Sequence, residues 1–165
     1  MNTTIHAEQS YKIISRHDIA DVLFNNTTHH HSLFANIAFE PGDLISNFFA
    51  ATTQNNASYL TVQTGINQHI TLAPTFLQYI NHGCDPNIFF DTTAMQLFCI
   101  KSIRSGDELR FFYPSTEWKM AQPFVCNCGS IHCLQLVSGA AQVNPDTLAK
   151  YRLTDFIIQQ LKLNT

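Results

Sequence analysis

At 165 residues the chain suits one domain with an adequate core. Only 13% of its residues are charged, about half the usual fraction, and a net charge of -3 gives no electrostatic footprint for nucleic acid. The chain lacks an apolar run of the roughly 18 residues a membrane span needs, and its polar start does not read as a signal peptide, so an intracellular protein is expected. With 13 Phe and 5 Tyr, exposed apolar patches are expected, which suits a partner or a second copy in a homodimer.

Residues 11–14 read as a short strand. Ser15 followed by Asp18 resembles a capping box, which predicts a brief helix over 18–24. Residues 25–31 form a polar loop ending in three histidines, read as solvated rather than metal-binding. Pro41-Gly42 marks a turn, 43–51 a single strand, and 52–58 a polar loop. Alternation over 59–63 and 68–72 around Gly65-Ile66-Asn67 predicts a hairpin. Pro74 suits the start of a short helix over 72–80. Strands are expected over 88–90, 95–103 and 109–113, with turns at 91–93 and 105–107. Asn144-Pro145 signals a helix start, and Leu153, Phe156, Ile157 and Leu161 share one face of a C-terminal amphipathic helix. That face can dock on the domain or form a dimer contact. The whole is mainly β, built from short strands rather than alternating βαβ units.

Cys126-x-Cys128-x4-Cys133 places three thiols within eight residues, a spacing that suits zinc. Cys84 is the natural fourth ligand, with His132 as competitor. Cys99, on an apolar run, reads as inert core. Cys84 lies in Asn81-His82-Gly83-Cys84-Asp85-Pro86-Asn87, a polar stretch between apolar flanks whose Asn, His and Cys must each find a partner inside.

These segments resemble the SET-domain family of protein-lysine methyltransferases. Residues 81–87 look like N-H-S-C-x-P-N, with Gly83 in place of Ser. Residues 106–113 are similar to G-E-E-L-T-F-D-Y, and 126–133 match the post-SET C-x-C-x4-C. Leu33-Phe34-Ala35, then Pro41-Gly42-Asp43-Leu44-Ile45, look like the family's G-x-G-L-F-A and K-G-E-x-I. The resemblance implies small β-clip-like sheets with a C-terminal pseudoknot. It divides the chain into a flanking segment (1–27), a SET domain (28–115), a post-SET segment (116–137) and a C-terminal helix (138–165).

It also implies S-adenosylmethionine (SAM) as cofactor and a structural zinc on Cys84, Cys126, Cys128 and Cys133. Tyr113 and Tyr59 are then the catalytic channel tyrosines. The cofactor would be contacted by His31, Ser32, Leu33, Asn81, His82, Phe112 and Phe124, the last covering the adenine. Positioning supplies much of the rate of methyl transfer to a neutral amine, and a Tyr hydroxyl suits that task. Departures are His30-His31-Ser32 where the family has G-x-G, Phe112 where it has Asp, and a short insert before Tyr59. The reading is a SAM-dependent methyltransferase acting on an amine, most simply a lysine in a protein or peptide. Two alternatives stand beside it: a binding or scaffold module without methyl transfer, and an enzyme of the same fold acting on a small molecule.

Overall fold

The computed structural model describes residues 10–164. It is mainly β. Strands β1 (Tyr11–Arg16), β2 (Ala20–Asn25) and β3 (His31–Ala35) form an antiparallel meander. Its strands lie on both sides of residue 27, so the N-terminal segment from residue 11 onward is built into the same sheet. The helix expected over 18–24 is instead β2, the central strand. Ser15 Oγ bonds the His17 ring, 2.9 Å away, rather than capping a backbone N–H. Seven residues make at most a marginal helix, whereas a strand between two partners buries Ala20 and Val22 completely.

Strands β4 (Leu44–Asn47) and β5 (Phe49–Gln54) replace the single strand expected over 43–51. The break is Phe48, 2% exposed, whose ring meets Phe90 edge-on at 5.4 Å. The chain thereby passes from one sheet to the next. The expected hairpin is present as β6 (Val62–Gly65) and β7 (Gln68–Ala73), giving the sheet β5-β7-β6. A 3-10 turn over Thr75–Tyr79 follows Pro74, in place of a longer helix.

Next come β8 (Asn81–His82), β9 (Ile88–Asp91) and β10 (Gln96–Cys99), the last two joining β4 in the order β4-β10-β9. The strand expected over 109–113 contracts to β11 (Arg110–Phe111), and Tyr113 opens a 3-10 turn with Pro114. β11 pairs in parallel with β8: Arg110 opposite Asn81, Phe111 opposite His82. Strands β12 (Phe124–Val125) and β13 (Leu136–Val137) pair antiparallel around the cysteine cluster.

The main core is built on Val22, Leu33, Ile70, Leu77, Ile88, Phe90, Leu97, Ile103 and Leu109, all fully buried. A second core gathers Phe112, Ala140, Leu148 and Ile157. It is made by two helices where the sequence suggested one: α1 (Pro145–Leu148), capped by Asn144 as expected, and α2 (Asp155–Leu163), capped by Thr154. The break between them lets Tyr151 stack flat on Phe112, centroids 3.7 Å apart, and lets Thr154 N–H reach the Ser115 carbonyl. Phe156, Ile157 and Leu161 are thus used within the chain. Among the described residues no helix is long and apolar enough to cross a membrane.

Gly139 fixes this docking. It sits at φ 109°, and an added Cβ would lie 2.6 Å from the Trp118 carbonyl oxygen and 2.9 Å from Lys119 Cα. Backbone on the far side cannot yield as a flexible side chain can. Gly139→Ala should therefore lower the unfolding free energy by about 2–4 kcal/mol. Urea titration checks it: a loss below about 0.5 kcal/mol would contradict the contact.

Candidate active site

The site begins with Asn87. Its backbone N–H donates to the Arg110 carbonyl, its side-chain oxygen accepts from Arg110 N–H, and its amide nitrogen donates to the Glu108 carbonyl, at 2.9–3.1 Å. Gly83 N–H donates to the Phe111 carbonyl. The loop over 83–87 and the strand β11 are thus bound along their length. Asn87 extends the pairing on β11 beyond the two residues of β8.

This pairing sends four consecutive residues in different directions. Phe111 enters the main core, edge-on to Phe90 at 4.8 Å. Phe112, extended, points the opposite way into the second core, so it is stacked on Tyr151 and does not line the cleft described next, where the motif would have set it. Arg110 and Tyr113 face a cleft of about 800 Å³. Its walls also carry His31, Tyr59, Asn81, His82 and Phe124 from the expected set. Ser32 lies behind Asn81, its hydroxyl accepting from Asn81 Nδ2 at 2.9 Å. Leu33 does not reach the cleft: its side chain is core and its carbonyl accepts Leu109 N–H.

His82 is the hinge of the site. Its Nδ1 accepts Tyr113 N–H at 3.2 Å, which leaves the proton on Nε2, 3.1 Å from Cys84 Sγ. Burial, with the Arg110 charge adding to it, lowers its pKa to about 4, so the ring is neutral. The Tyr113 ring stands edge-on to His82 at 5.3 Å, with Phe124 6.0 Å from it. Tyr113 Oη donates to the Ile80 carbonyl at 3.4 Å. Burial, and then the nearby Glu117 carboxylate, push its pKa well above the ordinary tyrosine value. The phenol stays protonated. Tyr59, 81% exposed, stands at the cleft's rim rather than beside the partly buried Tyr113.

The replaced glycine loop is a tight turn. Asn25, 5% exposed, accepts the N–H groups of Thr27 and Thr28 on its side chain, and the left-handed residue is His29 at φ 58°. His31 packs between Phe24 and Tyr79, each at 5.0 Å, and its carbonyl accepts Asn81 Nδ2 at 2.8 Å. His31 thus ends in ring contacts on β3, while residues 26–30, His29 and His30 among them, are exposed as expected of a solvated loop.

At one end of the cleft the sulfurs of Cys84, Cys126, Cys128 and Cys133 all lie within 4.8 Å of one another. A tetrahedral zinc with bonds of about 2.3 Å needs edges near 3.8 Å, so this set fits. N–H groups of Leu134 and Gln135 point at Cys84 and Cys133 sulfur, as thiolates favour. Burial pushes the Cys84 thiol up. At Cys128 burial also acts upward, but the Ser130 N–H and the neighbouring thiols outweigh it and bring the value to about 7. His132 is exposed and outside the group, and Cys99 is buried with its thiol donating to the Lys101 carbonyl.

Two residues escaped the sequence reading. Arg110 stands where the quoted motif has Thr, a departure visible in the alignment of letters alone. Glu117 had no such signal. It is 7% exposed and accepts Gln63 N–H and the Thr116 hydroxyl, while Gln63 Oε1 accepts Trp118 N–H. This reciprocal pair ties β6 to the segment after Tyr113.

Comparisons with known proteins bear on this site. A family model for the SET domain matches residues 17–114, more than half of the chain. The methyltransferase flvH of Aspergillus flavus is 38% identical over 123 residues, covering 73% of this chain and 68% of that protein. Histone-lysine N-methyltransferases specific for H3 lysine-36, from Chaetomium globosum and Candida albicans, are each 32% identical over 76 and 73 residues. The match covers 42% and 41% of this chain but only 8% of each of those proteins.

Burial raises the Glu117 pKa from 4.5 to about 7. The folded chain thus holds this proton more tightly than the unfolded one. The stability it gives is complete below the unfolded carboxyl range and is lost as pH rises through about 7. The stability difference between wild type and Glu117→Gln should accordingly fall by up to about 3 kcal/mol from pH 5 to pH 8. Urea unfolding at each pH reads it, and a constant difference would contradict the assignment.

Proposed function

The chain belongs to the SET-domain family, and we propose that it transfers a methyl group from SAM to an amine, most simply the side-chain nitrogen of a protein lysine. The observation that carries this reading is the convergence of Asn81, His82, Tyr113 and Phe124 on one cleft beside the four-cysteine group. When bound, the cofactor supplies an electrophilic methyl on a sulfonium. Asn81 and His82 would hold its amino-acid end, and Phe124 would cover the adenine. The Phe124 ring suits the second role; both ring nitrogens of His82 are engaged by Tyr113 N–H and Cys84 Sγ, so its part in the first is through its place in the wall.

Tyr113 is the catalytic residue. With its proton directed at the Ile80 carbonyl, the Tyr113 oxygen keeps its lone pairs as an acceptor beside that carbonyl, and acceptors for the amine N–H groups can align its lone pair without acid–base chemistry. Tyr59 guides the incoming side chain at the rim. Cys84, Cys126, Cys128 and Cys133 would hold one structural zinc, whose charge offsets crowded thiolates and fastens β12 and β13 to the cleft. Reduced thiols and a supply of SAM agree with an intracellular site of action. The lysine-36 specificity named for two relatives does not carry over, because the chain spans less than a tenth of their length.

Incubation with SAM carrying a labelled methyl group, against a whole-cell protein extract and against free amines, tests the reaction. Label on protein lysine supports the proposal. Label on a free amine alone would redirect it to a small-molecule substrate, and none on either would refute it. Tyr113→Phe should lower kcat at least about tenfold while SAM affinity stays within about twofold. Equal loss of both would make Tyr113 a structural residue. Elemental analysis of purified protein should find one zinc per chain, and chelation should abolish SAM binding. Metal-free protein that binds SAM normally would contradict the structural role.

A further inference from the structure

Arg110 is not explained by the fold. It is the only Lys or Arg among the described residues lining the main cleft. Its side chain remains 39% exposed there, while Glu108 beside it is 14% exposed. Nε and one Nη of Arg110 donate to Glu108 Oε2, at 2.9 and 2.5 Å. The other oxygen of Glu108 accepts Asn81 Nδ2 at 3.3 Å. The guanidinium is thus fixed from one side, and its remaining N–H groups are available to the cleft.

Gly83 makes this possible. A Cβ at position 83 would lie 3.1 Å from both Cβ and Cδ of Arg110. The stem of Arg110 therefore occupies the space that a larger residue at 83 would need. Two departures from the quoted motifs, Gly for Ser at 83 and Arg for Thr at 110, thus meet at one contact. A long cation has been admitted to a wall shared with Asn81, Ser32 and the His31 carbonyl.

We propose that Arg110, admitted by Gly83 and oriented by Glu108, binds the α-carboxylate of the SAM amino-acid end. This rests on the methyltransferase reading and deepens it. The argument is one of charge and place. Arg110 stands opposite Asn81 in the β8–β11 pairing, beside the residues assigned to that end of the cofactor. A planar guanidinium locked on one edge offers a second edge to a carboxylate, and a partly desolvated pair of this kind is strong. The Glu108 carboxylate opposes an anion, but its two oxygens are already engaged by Arg110 and Asn81. The contact also compensates for the close backbone approach that the histidine-bearing turn does not offer through glycine.

Calorimetry with SAM and with decarboxylated SAM, which lacks only the carboxylate, tests this on zinc-replete protein. Wild type should bind SAM at least about 30-fold more tightly than the decarboxylated compound. Arg110→Thr should weaken SAM at least about tenfold and leave the decarboxylated compound within about threefold. Gly83→Ser, which displaces the Arg110 stem, should weaken SAM similarly, yet add nothing in the Arg110→Thr background. SAM affinity unchanged in both single variants, or equal loss of both ligands, would overturn the assignment while leaving the methyltransferase reading intact. A folded wild type that binds neither ligand would overturn both.

Discussion

Two residues of β8 lying parallel to two residues of β11 hold the site together. A parallel pair this short has little stability of its own, because it offers few ladder bonds against the chain entropy of bringing together segments almost thirty positions apart. Asn87 supplies the remainder, with one backbone and two side-chain hydrogen bonds to the peptide groups of 108–110. Each contributes about 1 kcal/mol net, but leaving those peptide groups unpaired in the interior would cost more. The polar stretch lies between apolar flanks for this reason. The flanks anchor it in the core, and its polar groups then satisfy a neighbouring strand.

From that pairing the functional and structural roles separate residue by residue. The same extended run places Phe111 in one core, Phe112 in another, and Arg110 and Tyr113 in the cleft. Cys84 sits at the junction. His82 Nε2 and the Leu134 N–H approach its sulfur, while its carbonyl accepts the Tyr151 hydroxyl at 2.7 Å. The C-terminal helices thereby bear on the same loop as the cysteine group. Phe112, polar in the quoted motif, has become the apolar platform on which Tyr151 docks.

Much of this was legible in the sequence because chemistry-bearing residues came in dense, ordered motifs. The four sulfurs, the Asn-His turn and the tyrosine-bearing strand meet as their spacing and the family resemblance implied. The failures were of three physical kinds. At 18–24 a local capping pattern competed with burial of Val22 between two strands, and burial won. At 43–51 and in the C-terminal region an apolar pattern hid a change of direction, because Phe48 and the 149–154 break look like continuations of their neighbours. Phe112 and Leu33 were assigned by motif position, which fixes the backbone but not the side on which a side chain emerges. Glu117 left no trace at all, since its partner Gln63 is distant in the chain.

The account stands or falls on whether β8, the Asn87 loop and β11 are as firmly closed as the core they adjoin. Amide hydrogen exchange measures this directly. The amides of Gly83, Asn87, Arg110 and Tyr113 should exchange only through global unfolding, at the rate of the central strand β10. Exchange orders of magnitude faster at those four amides, with β10 still protected, would show that the pairing does not hold the cleft together.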